Sequence, residues 1–169
     1  IWRRDWKYLV FNLRRLIFAI QAFHAVQQYE VGLKDVILRR KLQDSLFYSY
    51  WSDLWIIAIL RLKSQGIVRG PIISRMHGYD LYFERGIDNY LPFRDFLLDH
   101  ITKIYCCCQD GETYLKRRFP QKQNKIEISR LGVGQVPCRN PGSSDGVLRI
   151  ASCSFVTPIK RVHLILGAL

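Results

Sequence analysis

The chain has 169 residues, with 26 Lys and Arg against 14 Asp and Glu, giving a formal net charge of +12. Hydrophobic residues make up 49% and aromatic residues 13%, enough for a packed core, which excludes wholesale disorder. The charge implies an anionic partner, whether nucleic acid, a phosphorylated small molecule or a membrane surface, and the length allows one domain or parts of two.

Residues 1 to 28 are rich in helix formers and read as one or two helices, with a second helical piece from Val31 to Leu42. Arg3, Arg4, Lys7, Arg14 and Arg15 are interleaved here with Trp2, Trp6, Tyr8 and Phe11. A basic amphipathic helix of this kind either packs on a domain or lies on an anionic membrane; packing is the preferred reading. No secretory signal opens the chain, because charge recurs at Arg3, Arg4, Asp5 and Lys7. The uncharged stretch from Leu16 to Tyr29 falls short of the about 20 apolar residues that span a bilayer. Both ends look cut: the chain starts abruptly at Ile1 and stops inside an apparent helix at Leu169.

Leu46 to Trp51 is short and aromatic, which suits a buried strand. Ser52 or Asp53 can cap a helix through Trp55, Ile56, Ile59 and Leu60, which Gly66 to Pro71 breaks. Pro71 to Met76 reads as a second strand, and Pro92 can start a helix through Phe93, Phe96, Leu97 and Leu98. Lys103 to Cys108 is a third strand. Asp110 caps the helix carrying Tyr114 and Leu115, and Lys125 to Ser129 is a fourth strand. Alternation of this kind predicts a mainly parallel sheet covered by helices. Gly134 to Gly146 has no apolar period and collects Pro137, Pro141, Gly142, Ser143 and Ser144, as an interdomain linker does. Val147 to Cys153 then opens a second unit as a strand, Thr157 is an N-cap candidate with Pro158 at the first helical position, and the last helix carries Val162, Ile165, Leu166 and Leu169.

Ligands of open α/β sheets bind outside the carboxyl ends of strands, and His77, Gly78 and Asp80 lie just past the second strand. A histidine there can donate, accept or take up a proton, and Gly78 lets the backbone turn sharply. The alternative is that His77 only bonds a neighbouring loop while Asp80 caps a turn. Lys160 and Arg161 fall in the first turn of the expected last helix, where the helix dipole disfavours cations, so an anion beside them is one reading and plain solvent exposure the other. Adjacent Cys106, Cys107 and Cys108 point to alternate faces of a strand and lack the spacing of a zinc site. They read as small buried hydrophobes, and a reducing compartment is the simpler setting. No G-x-G-x-x-G, P-loop, G-x-S-x-G or H-E-x-x-H occurs.

In combination, several segments resemble family 4 glycosyltransferases, in particular those of bacterial polysaccharide and capsule assembly. They are Tyr48-Ser-Tyr-Trp51, Ser74-Arg-Met-His-Gly-Tyr-Asp-Leu-Tyr82, Tyr90-Leu-Pro-Phe-Arg94, Gly111-Glu-Thr-Tyr-Leu115, Ser129-Arg-Leu-Gly-Val133 and Ser152-Cys-Ser-Phe-Val-Thr-Pro-Ile-Lys-Arg-Val162. The resemblance runs through residues 45 to 169 and implies a partial GT-B architecture of Rossmann-like α/β type. Residues 1–133 would be the later part of an acceptor-side domain, 134–146 a linker and 147–169 the start of a nucleotide-sugar-binding domain. It implies sugar transfer, with retention and without metal or other cofactor, from a nucleotide-diphosphate sugar to a glycan or lipid-linked acceptor. His77 would lie beside the transferred sugar, with Gly78 and Asp80 on the acceptor side. Lys160 matches the lysine of a basic pair that binds the donor diphosphate. Ser154 stands at the place of the pair's arginine, and Arg161, where the family often has glycine, is a second donor-side candidate. The setting expected is cytoplasmic, as the cysteines suggest, with peripheral contact of the basic N-terminal stretch at the inner face of an anionic membrane as the weaker alternative to packing; no nucleic acid partner is expected, and no transferase activity in this chain alone. The rival readings are an inactive remnant of such an enzyme, then a basic nucleic-acid-binding module, for which no recognition motif appears.

Overall fold

The computed structural model describes residues 2–132, 134, 146–147, 149–151 and 153–168. They fall into two units, Ile1–Gly132 and Val133–Leu169. Most of the expected linker, 135–145, lies outside the described residues.

The first unit begins with α1 (Trp2–Leu9) and α2 (Leu13–Arg39). Asn12 separates them in an extended conformation, and its side chain accepts a hydrogen bond from the Arg15 backbone N–H at 2.9 Å, an N-cap that satisfies one of the free donors of the first turn. The break expected between residues 28 and 31 does not occur. Gly32 costs a helix about 1 kcal/mol, but α2 runs on through it, anchored by contacts just before it. Tyr29 stacks on Trp55 at 3.9 Å between centroids, and Glu30 accepts from Arg61 at 2.7 Å. Packing against the next helix outweighs local propensity.

Asp5 ties α1 to the rest of the unit. Its carboxyl is fully buried, accepts from the Tyr90 hydroxyl, and accepts the Phe93 N–H at 2.9 Å. Burial raises its pKa from the ordinary carboxylate value. This grip also explains a displaced helix start. Phe93 is left-handed, with φ 60°, so the helix expected from Pro92 begins only at Arg94, as α5 (Arg94–His100).

Four strands follow the alternation read from the sequence: β1 (Phe47–Ser49), β2 (Ile72–Met76), β3 (Lys103–Cys106) and β4 (Ile126–Ile128). All are parallel, in the spatial order β1-β2-β3-β4. Helix α3 (Leu54–Ser64) joins β1 to β2. The short α4 (Gly78–Leu81) and α5 lie between β2 and β3, and α6 (Gln109–Arg118) lies between β3 and β4. The Asp53 side chain caps α3 by accepting the Trp55 N–H at 3.0 Å. Gly66, with φ 76°, ends it in the left-handed region that glycine tolerates. Cys108 rather than Asp110 occupies the N-cap position of α6; Asp110 sits in its first turn, where a negative charge still favours the helix dipole. Gly70 is needed for space: a Cβ there would lie 1.9 Å from the Ser45 carbonyl oxygen.

One face of the sheet, carrying Ile72, Ser74, Met76, Ile104, Cys106 and Ile126, is buried and joins the core formed with Ile56, Ile57, Leu60, Leu97 and Leu98. The other face carries Tyr48, Ile73, Arg75, Lys103, Tyr105 and Glu127, which are half-buried or exposed. The sheet is therefore covered on one face among the described residues, not on both. Strand β1 is an edge strand with Tyr48 about half exposed, so the buried strand expected there is corrected to a half-buried one: Phe47 packs against the core and Tyr48 faces away from it.

In the second unit, no strand is found among the described residues of 147–153, contrary to expectation. A single 3-10 turn (Pro158–Lys160) and a six-residue helix, α7 (Val162–Gly167), are present. No helix of the described residues is long and apolar enough to cross a membrane.

Candidate functional site

Because all four strands run the same way, their carboxyl ends share one edge of the sheet. Tyr50, Trp51 and Ser52 follow β1, His77 follows β2, Cys107 and Cys108 follow β3, and Ser129 follows β4. Buried polar groups fix these turns to one another. The Asp80 carboxylate is buried, and its two oxygens accept the backbone N–H of Ser52 at 2.7 Å and of His77 at 2.6 Å. The Arg94 guanidinium, also buried, donates to the Ser52 carbonyl. The Ser52 hydroxyl meets the Ser74 hydroxyl at 2.7 Å, and Ser74 donates to the Ser49 carbonyl at 3.0 Å. Ser52 is thus held at its N–H, its carbonyl and its side chain, which clamps the end of β1 to that of β2. Burial lowers the Arg94 pKa, while Asp80 and Asp53 work in the opposite direction.

His77 has an extended backbone, with φ −118° and ψ −164°, as the N-cap of α4. Its ring packs against Trp51 at 3.9 Å and Tyr50 at 4.7 Å, and Trp51 in turn lies 5.0 Å from Tyr79. Both ring nitrogens are shielded from solvent and make no well-formed protein hydrogen bond; the side chain faces the Asp80 N–H at the start of α4 in the manner of a capping box without closing the cap bond, and shielded polar atoms left so cost stability. Desolvation lowers the His77 pKa below 6.5; Asp80 opposes this and Arg75 adds to it. At neutral pH the imidazole is therefore uncharged, with one donor and one acceptor. Tyr50, Trp51 and Tyr79 are substantially exposed around it. The result is a small aromatic recess with a neutral, unsatisfied imidazole.

Asp80 has both oxygens occupied, so it positions the recess and does not reach into it. Gly78 opens α4. Ser52 and Arg94 escaped sequence reasoning as site residues. The one signal available for Arg94 was a cation within the apolar run from Leu91 to Leu98.

Of the three adjacent cysteines only Cys106 is buried, its thiol pushed up to about 12 by desolvation. Cys107 is half-buried and donates to the Met76 carbonyl at 3.3 Å, while Cys108 is exposed. This corrects the reading of all three as buried. Treatment of the native chain with a thiol reagent, followed by peptide mapping, is expected to modify Cys108 and leave Cys106 intact until denaturant is added. Equal labelling of both would contradict the burial of β3. Among the described residues no cluster of potential ligands could hold a metal ion.

The second unit places Lys160 and Arg161 differently from expectation. Lys160 ends the 3-10 turn, its N–H bonded to the Thr157 carbonyl at 2.9 Å. Arg161 is left-handed, with φ 53° and ψ 31°, and precedes α7. Neither lies in the first turn of that helix, so the dipole argument for an anion does not hold. The Thr157 side chain makes no capping bond. Cys153, Ser154, Phe155 and Lys160 instead line one open concavity of about 460 Å³, which brings Ser154 and Lys160 together. Arg161 is exposed and is not among those lining residues.

Comparison of the chain with protein-family models, curated proteins and solved structures finds no match.

Proposed function

We propose that this chain forms part of a GT-B glycosyltransferase that moves a sugar from a nucleotide-diphosphate donor to a glycan or lipid-linked acceptor in cell-surface polysaccharide synthesis. The observation that carries the proposal is His77 at the carboxyl end of β2, an imidazole whose pKa burial lowers and whose ring packs against Tyr50 and Trp51, both exposed. Sugar rings present hydroxyls beside an apolar C–H face. Such a recess offers a hydrogen-bonding group beside flat apolar surfaces, as specific small-molecule sites do. The strand-end location suits an α/β enzyme.

The donor half of the proposal rests on Lys160. In the transfer, the bond from the anomeric carbon to the diphosphate oxygen breaks, and a bond forms from that carbon to an acceptor hydroxyl oxygen. The hydroxyl proton leaves with the departing diphosphate. Charge develops on the leaving oxygen, and a fixed cation stabilises it most in the transition state. Lys160 supplies that cation, and Ser154 in the same concavity offers a hydroxyl to a second phosphate oxygen. The left-handed backbone at Arg161 is a conformation glycine adopts freely, which fits the glycine often found at that place in the family. Retention, and the absence of a metal or other cofactor, follow from the resemblance.

In the complete transferase, Lys160→Ala is expected to lower release of nucleoside diphosphate by about 10²–10³-fold, with Lys160→Arg recovering part of it. Unchanged turnover would remove Lys160 from the mechanism. A complete protein that hydrolyses or transfers no nucleotide sugar would favour the inactive remnant.

A further inference from the structure

The open face of the sheet carries a cation that no carboxylate answers. Arg75 stands near the carboxyl end of β2, two residues before His77, with Tyr105 of β3 opposite it. Its side chain spans β3 and donates from Nη2 to the Ser129 hydroxyl at 2.7 Å, just past the end of β4. Nε is shielded from solvent and has no hydrogen-bond partner. Nη1 bonds no protein group among the described residues. The residue as a whole is only half-buried, so a ligand can reach it. Arg4, Arg61 and Arg69 by contrast end on Asp99, Glu30 and Asp44. The acids around Arg75 are engaged elsewhere: Glu127, on the same face, pairs with Lys103, and the two oxygens of Asp80 accept the N–H groups of Ser52 and His77.

A guanidinium cannot shed its proton to escape the cost of shielding. Without a counterion it gains most from an anion, and its planar fork matches two oxygens of a carboxylate or a phosphate. Here Nη2 already rests on Ser129, and Nε, the other donor of that edge, is unused. The Ser129 hydroxyl accepts from Arg75 and donates to no acceptor among the described residues, so its own proton is available to the same oxyanion. Desolvation lowers the His77 pKa and raises that of the Cys107 thiol, and in both the Arg75 charge favours the less protonated form. The guanidinium therefore lies within electrostatic reach of the His77 ring and of the Tyr50 and Trp51 rings packed on it.

We infer that Arg75 and Ser129 form an oxyanion subsite beside the His77 recess, so that the ligand taken there is an acidic sugar, one bearing a carboxylate or a phosphate, and not a neutral one. One guanidinium backed by one hydroxyl suits a single oxyanion, whereas nucleic acid calls for a row of unpaired cations. The inference rests on reading the recess as a sugar site. It requires nothing of Lys160 or of the transfer step.

Titration of the 169-residue chain with glucuronate, glucose 1-phosphate and glucose tests it, followed by NMR at the arginine Nε–H signals. The Arg75 signal is identified by its absence from the spectrum of Arg75→Lys. It is expected to shift with an acidic sugar and to stay in place with glucose; the tighter of the two acidic ligands tells whether the oxyanion is a carboxylate or a phosphate. Arg75→Gln is expected to weaken that ligand by about tenfold or more, and Arg75→Lys, which keeps the charge without the fork, by less. Ser129→Ala is expected to weaken it severalfold, and Arg69→Gln, at a cation paired with Asp44, to leave it unchanged. If Arg75→Gln does not fold, Arg75→Lys and Ser129→Ala carry the same comparison. The inference is overturned if the Arg75 signal responds to neither acidic sugar, or if the Arg75 and Ser129 variants bind them as the wild type does. It is also overturned if glucose binds as tightly as both; the recess then remains a sugar site and the oxyanion subsite alone is lost.

Discussion

Asp80→Ala lowers the unfolding free energy of the first unit by about 3–5 kcal/mol, the range for removing one partner from a buried, hydrogen-bonded charge arrangement. The expectation follows from what the carboxylate does. It accepts two backbone N–H groups, those of Ser52 and His77, from two different strand ends. It also offsets the buried Arg94 charge on the far side of Ser52. Alanine leaves two donors unsatisfied and one cation less well compensated, and neither loss is repaired by solvent at a position 1% exposed. With a denaturant slope of about 1–3 kcal/mol/M for a small domain, the urea midpoint moves down by roughly 2 M. A shift under about 0.5 M would show that the Ser52 clamp is not what holds β1 against β2.

On the proposed transferase reading, His77→Ala in the full-length protein is expected to lower turnover by about 10²-fold, the scale for losing a group that orients a reactant. The chain should stay folded, because the ring is only partly buried and its nitrogens bond no protein group. His77→Gln, which keeps a donor and an acceptor, recovers part of the loss if orientation is the role. The pH dependence has a fixed sign. Burial sets the folded-state pKa of His77 below 6.5, so the uncharged form persists into mildly acid solution and the acid limb of the rate profile lies below pH 6.5. The same shift affects stability. Below pH 6.5 the unfolded chain binds a proton that the folded chain resists, so the stability linked to His77 is lost as pH falls through that window. His77→Gln removes this component. A profile unchanged by His77→Gln, with turnover intact in His77→Ala, would take His77 out of the site.

The strands β2, β3 and β4 were legible because each is a short stretch with apolar residues at alternate positions, bounded by turn residues, and their parallel order followed from the helices between them. Position at a strand end was enough to single out His77. What could not be read were the contacts that build its surroundings. Ser52 and Asp80 are 28 residues apart, and Ser52 and Arg94 are 42 apart; no local pattern encodes such pairings. Sequence period separated strand from helix but not edge from centre, so β1 was read as a buried strand when only Phe47 packs on the core and Tyr48 is exposed. The dihedral at Arg161 was hidden for a different reason: a non-glycine residue gives no local sign that it will be left-handed.

The strand order has a consequence for how the sheet comes into being. With β1-β2-β3-β4 in space matching the order along the chain, each strand leaving the ribosome has its native docking edge on the strand made just before it. No strand waits for a distant partner, and no gap is left to be filled later. Assembly can keep pace with synthesis, and loop-closure cost grows only slowly with the length of each connection. The growing edge is always the newest strand, while the outer edge of β1 stays unpaired among the described residues, so mispairing has two boundaries to act on and only one of them moves.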